Sequence, residues 1–427
     1  MRAKHHILDT LAAMISGSTL NPGQFMLQYV RTEGGSAEAQ VAGSGLLASA
    51  SLAALANGTA AHADETDDSH AASGTHPGCA VVPATLAMAE RAGSDGTAFL
   101  KAVVLGYDVG CRVGRALRPK VVSAKGHSSR SLGNVFGATA AAASIAQLDA
   151  SRAGGALSYA AQQAAGIGSY IRAQDHVEKA FVLGGMPARN GVTAVRLAQT
   201  GASGSADPFV GERNFLNAYS PDPEPEELVR GLGKNFEILQ TSIKQFSVGS
   251  PIQAPLEALL AVMAEHPLSA ADVERVVVRL PEQRAVTVNN REIPDINLQQ
   301  ILALALVHGN VTFANTHDDR LLNHSSVHDL RSRIELVGDP ALLDAEFPRQ
   351  VDLTIMTRAG QRFVKRLMTY RGTPENPVST DEVEAKARNL MAPVIGREQC
   401  DALIRAVAKL EEVKDMREFR ALLATQE

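Results

Sequence analysis

The residues best suited to chemistry lie between His62 and Pro83, in the segment HADETDDSHAASGTHPGCAVVP. This stretch mixes carboxylates, hydroxyls and imidazoles, which are carried by Asp64, Glu65, Thr66, Asp67, Asp68, His62, His70 and His76. Carboxylates beside imidazoles are the side chains that move protons near neutral pH. Gly74 and Pro77–Gly78 mark turns, and an apolar helix is predicted to resume at once. The pattern therefore predicts polar groups held at the mouth of a buried element.

Two other interpretations of this segment stay open. An acidic surface loop that caps the next helix would have the same composition. A metal site is the weaker alternative, because the segment has no His-Glu-x-x-His pattern and no cysteine pair to complete a zinc site. We therefore expect no metal.

A second polar segment, KGHSSRSLGNVFGATAAAAS, begins at Lys125 and leads into a predicted helix. It brings His127, Ser129 and Arg130 to the helix N-terminus, where unpaired amide N–H groups suit a carboxylate. Simple capping by Ser129 or Ser131 is the structural alternative. The spacing of its glycines fits neither a phosphate loop nor a dinucleotide fingerprint.

Two lysines occur in further segments of mixed polarity. Lys179 lies in DHVEKAFVLGGMPARNG, where a lone lysine is usually a solvated charge. Lys244 lies between Ile243 and Phe246 in SIKQFSVGSPIQAPLEAL, so partial burial is expected. Burial lowers the pKa of a lysine and makes it a usable base. The sequence has no G-x-S-x-G elbow, which disfavours a serine hydrolase.

Bulk composition excludes several classes of protein. A chain of 427 residues is expected to form two or three domains. Its formal net charge of −5 and aromatic content of 4%, with no Trp, argue against a nucleic-acid partner. The cysteines Cys79, Cys111 and Cys400 are odd in number and far apart, as is typical of a reducing compartment. No signal-like or membrane-spanning apolar run is present, so we expect a cytoplasmic protein without a membrane partner.

The elements that must position these side chains change character along the chain. Up to about Leu260 the sequence is rich in Ala, Gly and Ser at helical spacing, as in VFGATAAAASIAQLD. After Pro267, three runs predict strands, namely VERVVVRLPEQRAVTV as a strand with an exit, RIELVGDPAL, and VDLTIMTRAGQRFVKRLMTYRG as a hairpin around Arg358–Ala359–Gly360. NLQQILALALVHG predicts a helix between the first two, and Ser379 caps another after Pro377.

We therefore predict a mainly α fold with an α+β second domain. The large helical-bundle domain is expected over 1–264 and a smaller α+β lid domain over 265–375. Helices over 376–427 are expected to return to the first domain.

Taken together, these segments resemble the MmgE/PrpD (2-methylcitrate dehydratase) family, which also contains cis-aconitate decarboxylase and iminodisuccinate epimerase. The resemblance covers nearly the whole chain, and the segments that carry it are ILDTLAAMISGS, HADETDDSH, THPGCAVVPATLAMAE, GYDVGCRVGRAL, GHSSRSLGNVFGATAAAAS, GGMPARNGV, SIKQFSVGS and PENPVSTDEVEAKARNL. It implies a homodimer that acts on a small di- or tricarboxylate without metal or organic cofactor.

The resemblance and the segments described above together imply roles for individual residues. The predicted catalytic residues are Glu65, Asp67, His76, His127, Lys179 and Lys244. The predicted substrate-binding residues are Asp68, Ser69, Ser129, Arg130, Arg189, Gln253 and Gln300. Which of Glu65, Asp67 and Asp68 faces the substrate stays open at this point.

The chain departs from the family at positions expected to contact substrate. Gln253 and Gln300 stand where many members have a histidine and a tyrosine, and Phe181–Val182–Leu183 replaces another histidine. A glutamine forms hydrogen bonds but does not titrate near pH 7. The departures disfavour cis-aconitate decarboxylation and methylcitrate dehydration itself, and they favour another carboxylate substrate.

The predicted function is a cofactor-independent carbon–oxygen lyase, a dehydratase acting on a hydroxy di- or tricarboxylate. A base must remove the weakly acidic proton next to a carboxylate while positive groups stabilise the growing charge. His76, oriented by Glu65 or Asp67, and His127 on the opposite face are the expected proton carriers, and Lys179, Lys244 and Arg130 the expected cations. The alternatives are an isomerase or epimerase of an imino- or amino-dicarboxylate, and a carboxylate-binding homologue without catalysis.

Overall fold

The chain forms two compact units in a computed structural model that describes residues 1–205, 207–343 and 348–425. The first unit contains Met1–Ala63, Asp67–Ser242 and Ser379–Glu427. The second contains Ile243–Val378 together with the tripeptide Asp64–Thr66. The polar segment singled out above is therefore divided, since its first three acidic or hydroxyl positions belong to the second unit.

The first unit is built mainly from α-helices. Up to Ser242 these helices are α1 (Arg2–Gly17), α2 (Asn21–Glu33), α3 (Ala50–Ala61), α4 (Gly78–Ala92), α5 (Gly96–Ala116), α6 (Pro119–Ala124), α7 (Ser129–Ile145), α8 (Ala150–Gln163), α9 (Val177–Ala180), α10 (Met186–Gln199) and α11 (Phe215–Tyr219). Short antiparallel strand pairs accompany them, namely β1 (Ala39–Gln40) with β2 (Leu47–Ala48), and β3 (Ser69–His70) with β4 (Thr241–Ser242).

Glycines allow α5 and α7 to pack with their backbones in contact. A Cβ atom added to Gly137 would lie 2.6 Å from the carbonyl oxygen of Gly106. One added to Gly133 would lie 2.7 Å from the carbonyl oxygen of Gly110. Any larger side chain at these positions would push the helices apart, so the small residues of this region are a packing requirement.

The second unit combines helices with a four-stranded sheet. Its elements are α12 (Ser250–Glu265), β5 (Val273–Leu280), α13 (Glu282–Val288), α14 (Leu298–His308), α15 (Phe313–Thr316), α16 (Asp319–Leu322), α17 (Ser325–Arg331), β6 (Ile334–Gly338), β7 (Val351–Thr357) and β8 (Arg362–Leu367). The strand order is β6-β5-β7-β8. Only the β5–β6 pair of this sheet is parallel, with Val276 opposite Ile334.

The sheet buries one face, as its sequence pattern predicts. Val351, Leu353 and Ile355 of β7 are fully buried, whereas the residues between them are partly exposed. The β7–β8 hairpin turns at Gly360, whose φ of +81° suits glycine. The hairpin, the α14 helix and the mainly α fold with an α+β second domain are confirmed, and each predicted strand segment contains a strand. The first segment was expected to stay extended beyond Leu280, but Glu282–Val288 forms the helix α13.

Helix α12 belongs to the second unit, although its residues were expected in the first domain. Its apolar residues Ile252, Leu256 and Leu259 are fully buried in the same core as the sheet. The helix packs against β7, β8 and α14. Its composition resembles that of the preceding helices, so the sequence pattern did not separate it from them.

The chain returns to the first unit with α18 (Thr380–Ile395), α19 (Arg397–Ala408) and α20 (Phe419–Leu423). The predicted cap of α18 is a full capping box between Ser379 and Glu382. Lys386 of α18 donates to Asp9 Oδ1 of α1 at 2.6 Å. Within the described residues, none of the helices has the length and apolar composition needed to cross a membrane.

Candidate active site

One buried carboxylate of the first unit, that of Asp67, joins two histidines. Asp67 Oδ2 lies 2.7 Å from His62 Nδ1, and Asp67 Oδ1 lies 3.2 Å from His76 Nδ1. The two imidazole rings meet edge to face with their centroids 4.9 Å apart. His62 and Asp67 are fully buried, whereas the side chain of His76 is 12% exposed. We call these three residues the Asp67 cluster.

Local structure fixes each member of the Asp67 cluster. His62 immediately follows the last residue of α3, and His76 lies two residues before the first residue of α4. The carbonyl oxygen of His76 accepts hydrogen bonds from Asn134 Nδ2 at 3.0 Å and from the Cys79 thiol at 3.1 Å. The ring and the backbone of His76 are therefore both held in place.

Asn134 of α7 also connects the cluster to the segment that carries Lys179. Its Nδ2 donates to the carbonyl oxygen of Leu183 at 2.9 Å. Leu183 lies in a π-helical turn, Phe181–Gly185, which directly follows α9. Lys179 is part of α9. Turns of this kind are frequent at functional sites because they re-aim the neighbouring side chains.

The electrostatics of the cluster keep His62 neutral. Burial lowers the pKa of His62 to about 4, because the attraction of Asp67 offsets only part of the desolvation cost. The positive charge of Lys179 lowers this pKa further, which places Lys179 within electrostatic range of the cluster. At neutral pH His62 is thus a neutral hydrogen-bond donor and not a proton carrier.

The hydrogen-bond pattern assigns the protons of both imidazoles. An ionised carboxylate only accepts hydrogen bonds, so His62 and His76 both carry a proton on Nδ1 and a lone pair on Nε2. His76 is the partly exposed member of the pair, and its Nε2 is the atom placed to exchange a proton. The carboxylate of Asp67 would stabilise the imidazolium that forms.

The same three side chains could also hold a metal ion. Each offers one ligand atom, and these atoms lie within 4.8 Å of one another. In a tetrahedral zinc site the ligand atoms are about 3.3 Å apart. The 2.7 Å between His62 Nδ1 and Asp67 Oδ2 is shorter than that and matches a hydrogen bond instead.

The carboxylate of the neighbouring Asp68 is hydrogen-bonded to buried groups of α1, α4 and α5. Its carboxylate is fully buried and accepts from Tyr107 OH at 2.6 Å and from the backbone N–H of Gly78 at 3.0 Å, and its Oδ2 lies 2.8 Å from His6 Nδ1. Burial, and then the charge of Asp68, raise the pKa of Tyr107, so the phenol stays a donor. Asp68 therefore fixes the first turn of α4 and is engaged on both oxygens. Ser69, predicted beside it as a substrate ligand, is buried in β3 opposite Ser242.

The second unit contains a separate buried ion pair. Lys244 is fully buried, and its Nζ lies 3.1 Å from Glu65 Oε2 and 2.9 Å from the carbonyl oxygen of Glu65. Nearby in the sequence, Thr66 Oγ1 bonds to Asp64 Oδ2 and to Ser247 Oγ, both at 2.7 Å. Burial raises the pKa of Asp64. The expected burial of Lys244 is confirmed.

Family comparisons agree with the resemblance noted in the sequence. The MmgE/PrpD N-terminal domain matches residues 1–228, and the MmgE/PrpD C-terminal domain matches residues 246–412. The chain belongs to the MmgE/PrpD family.

Relatives within the family are similar over nearly the whole chain. The cis-aconitate decarboxylase-like protein oryM of Aspergillus oryzae is 26% identical over 460 residues, which is 99% of this chain and 92% of oryM. The cis-aconitate decarboxylases of Homo sapiens and Mus musculus are each 26% identical, over 99% of this chain and 89% and 88% of their own lengths.

In this MmgE/PrpD protein, the structure brings some predicted site residues together and gives others different partners. His76 and Asp67 are hydrogen-bonded to each other, and Lys179 acts electrostatically on His62 beside them. The ring of His127 packs edge-on against Tyr219, with centroids 5.2 Å apart. Arg130 donates to Tyr170 OH at 3.3 Å, and Ser129 Oγ lies 3.3 Å from Ser123 Oγ.

Three predicted substrate ligands bond to the protein itself. Gln253 accepts from the backbone N–H groups of Gln245 and Phe246 and donates to the carbonyl oxygens of Phe246 and Val248, so its amide holds the loop after Lys244. Gln300 donates to the carbonyl oxygen of Leu322 at 2.7 Å and accepts from Arg331 at 3.2 Å. Arg189 bonds to Asn190 and lies over the ring of Phe181 at 5.9 Å. These described bonds hold neighbouring segments in place, and the substrate contacts expected for the three residues stay a prediction.

Two residues of the candidate site were not among the predicted residues. His62 was one of several similar imidazoles in the polar segment, and spacing alone gave no reason to prefer it over His70. Asn134 lies inside GHSSRSLGNVFG, where an asparagine on a predicted helix has no distinctive pattern. Only the partners of their side chains reveal what they do.

Proposed function

We propose that this protein is a lyase that acts on a small di- or tricarboxylate by moving a proton at the carbon next to a carboxylate. Membership of the MmgE/PrpD family and the similarity to proteins named cis-aconitate decarboxylases support a lyase-type enzyme for a carboxylate. The observation that carries the proposal is the pairing of His76 with a buried Asp67, with Lys179 in electrostatic range.

The chemistry follows from that arrangement. A hydrogen next to a carboxylate is weakly acidic, so its removal needs a placed base and a cation that stabilises the charge on the carboxylate oxygens. His76 Nε2 takes the proton, and Asp67 stabilises the imidazolium by accepting from Nδ1. Lys179 supplies positive charge for the substrate carboxylate.

Within this class we favour a hydro-lyase of the 2-methylcitrate dehydratase type. The carbon–hydrogen bond breaks to His76, a carbon–carbon double bond forms, and the hydroxyl leaves as water after it receives a proton. The family resemblance assigns catalytic roles to Lys244, Glu65 and His127 as well. His127 belongs to the same unit as His76 and is the proposed acid for the leaving hydroxyl. The substrate is a hydroxy di- or tricarboxylate.

Decarboxylation is the second candidate, and the names of the relatives favour it. In that reaction the bond to a carboxylate breaks, carbon dioxide leaves, and the carbon takes up a proton from a group such as His76. Both candidates use the same proton carrier, and they differ in the group that leaves.

The products distinguish the candidates. The protein is incubated in deuterated water with a panel of hydroxylated and unsaturated di- and tricarboxylates, and the mixtures are followed by proton NMR. Loss of water with a new vinyl signal identifies a hydro-lyase, and release of carbon dioxide identifies a decarboxylase. Deuterium uptake without either loss would identify an epimerase and would contradict both.

Substitution of the proton carrier tests the site. His76→Gln is expected to lower kcat by about 10²- to 10⁴-fold, because the amide cannot exchange a proton. His328→Gln is the matched control, since His328 is exposed on α17 of the second unit. Wild-type turnover in the His76→Gln protein would contradict the proposed role.

Removal of metal ions tests the expected independence from a cofactor. Activity is expected to survive dialysis against a chelator, because the distance of 2.7 Å between His62 Nδ1 and Asp67 Oδ2 indicates a hydrogen bond and not two ligands of one metal ion. Activity that disappears on dialysis and returns with added zinc would instead make the Asp67 cluster a metal site.

A further inference from the structure

A polar cavity of the first unit lies at the far end of α4 from the Asp67 cluster. Its volume is about 310 Å³, and its lining residues are Ala37, Glu38, Glu90, Arg91, Arg417 and Arg420. His76 lies just before the first turn of α4, whereas Glu90 lies in the last turn. The twelve residue steps from Gly78 to Glu90 span about 18 Å of helix. We call this space the arginine cavity, and no step of the proposed reaction uses it.

The arginines of the cavity are anchored by carboxylates and still have unused donors. Arg420 Nε donates to Glu90 Oε2 at 2.7 Å, Arg91 Nε donates to Glu38 Oε1 at 3.0 Å, and Arg417 pairs with Asp415. Among the residues that the structure describes, both terminal nitrogens of Arg91 and the Nη1 atoms of Arg417 and Arg420 have no hydrogen-bond partner. Guanidinium groups held in this way present N–H donors for an oxyanion.

Glu90 adds a buried oxygen that lacks a partner. Its Oε2 accepts from Arg420 and from the backbone N–H of Gln40, the latter at 3.0 Å. Its Oε1 is buried and has no hydrogen-bond partner in the described part of the chain. An unpaired buried polar atom is unfavourable, and such atoms are rare in folded proteins. Because Glu90 lines the cavity, a molecule bound there can supply the missing partner.

The protonation of Glu90 makes this oxygen a donor. Burial raises the pKa of Glu90 to about 7, with Asp415 adding to the shift and Arg420 opposing it. Near neutral pH a substantial part of the molecules therefore carries a proton on Oε1, since Oε2 already accepts two hydrogen bonds. Glu38 does not compete for a ligand, because its oxygens bind Arg91 and the backbone N–H of Ala50. The cavity thus offers N–H and O–H donors to an acceptor with negative charge.

We infer that the arginine cavity binds a phosphate group, either as free phosphate or as part of a small phosphorylated molecule. The donors come from α4 and from the C-terminal segment, so they reach the cavity from two separate parts of the chain. A tetrahedral phosphate presents acceptor oxygens in several directions, whereas a carboxylate presents two oxygens in one plane. The volume is at the lower end of the range of about 300–1,000 Å³ for ligand pockets, which leaves room for a phosphate with a short organic group.

Calorimetric titration of the full-length protein tests the inference. Inorganic phosphate and glycerol 3-phosphate are the probes, in chloride buffer at neutral pH. Arg91→Gln and Arg417→Gln each remove unused donors but leave the bond between Arg420 and Glu90 intact. Each is expected to raise the Kd about tenfold or more, because a hydrogen bond between two charged groups is lost. Arg397→Gln is the matched control and should keep the wild-type Kd, since Arg397 is exposed on α19 of the same unit.

The two probes distinguish the sources of the phosphate group. Tighter binding of glycerol 3-phosphate would assign the cavity to a phosphorylated molecule, and equal binding would assign it to free phosphate. Absence of saturable binding for both probes would overturn the inference. A wild-type Kd in either arginine variant would also overturn it, because the phosphate would then bind elsewhere, so one folded variant is sufficient for the test.

This inference does not depend on the proposed function. Turnover of a carboxylate is measured separately, and its absence would leave phosphate binding in the arginine cavity unaffected. Conversely, an active enzyme that binds neither probe would retain the proposed function and lose this site.

Discussion

Asp67 and Asp68 are adjacent residues with the same side chain and different surroundings. Asp67 bridges two histidines, one of them partly exposed, within range of the charge of Lys179. Asp68 is enclosed by Tyr107, His6 and the start of α4. The two neighbouring carboxylates thus have different partners, and the partners of a carboxylate decide whether a proton can be exchanged beside it.

The buried Lys244–Glu65 pair leads to a prediction about stability. Lys244→Met is expected to lower the free energy of unfolding by about 3–5 kcal/mol, since it leaves the Glu65 carboxylate buried without its counter-charge. The double variant Lys244→Met/Glu65→Gln should recover most of that loss. Urea unfolding followed by circular dichroism measures all three proteins.

An exposed ion pair of the same unit provides the control for that experiment. Lys365 and Glu265 form such a pair, and Lys365→Met should hardly change the unfolding free energy because solvent screens the charges. Equal effects of the two lysine substitutions would contradict the burial of Lys244.

The neutral state of His62 predicts how stability depends on pH. The pKa of His62 falls from 6.5 in the unfolded chain to about 4 in the folded protein, because the folded state cannot solvate the imidazolium. Between these values the unfolded state binds a proton that the folded state does not, so stability decreases as the pH falls from 6.5 towards 4.

His62→Asn removes this source of acid sensitivity. Its Tm is expected to fall less steeply than that of the wild type over that pH range, as measured by thermal unfolding in a series of buffers. His328→Gln, at an exposed position, should follow the wild-type slope. Parallel curves for wild type and His62→Asn would show that His62 does not carry the effect.

At the scale of elements, the site depends on helices that approach each other closely. Helix α7 carries Asn134, which binds the carbonyl oxygens of His76 and Leu183. The same helix contacts α5 through paired glycines, so the distance between α5 and α7 is fixed by backbone contact. Because the two helix backbones touch at these glycines, α7 and the Asn134 side chain that it carries have little freedom to shift.

Two helical glycines are predicted to respond oppositely to alanine. Gly137→Ala is expected to destabilise the protein by about 1–3 kcal/mol, because its Cβ would lie 2.6 Å from the carbonyl oxygen of Gly106. Gly155→Ala, in α8, is expected to stabilise it by roughly 0.5–1 kcal/mol, since the nearest atom lies 3.7 Å away and alanine favours the helix.

Chemical denaturation of both variants checks the prediction at the same time. Opposite signs of the change in unfolding free energy are expected. A stabilised Gly137→Ala protein would show that α5 and α7 are not packed through their backbones.

At the scale of the whole molecule, the chain alternates between its two units. It changes unit after Ala63, Thr66, Ser242 and Val378. Glu65 and Asp67 are therefore two positions apart in the sequence and belong to different units. The side chains of this short polar segment are therefore held by two sets of partners: those of Asp64–Thr66 belong to the second unit, and those of the residues from Asp67 onwards belong to the first.

The family resemblance predicts that this molecule is a homodimer. Light scattering coupled to gel filtration is expected to give twice the chain mass of 45.1 kDa over a range of concentrations. The mass of a single chain at every concentration would contradict the prediction.

The sequence by itself determined the class of fold and the family, and it predicted the segments that carry chemistry. These follow from local signals such as the alternation in β7, the cap at Ser379 and the polar run that begins at His62, which depend on neighbours along the chain. Tertiary structure alone decided that Asp67 and not Asp68 orients His76, and that the amide of Gln253 holds a loop. The partners of these groups come from other parts of the chain, and a side chain's hydrogen bonds and desolvation depend on what lies around it in space.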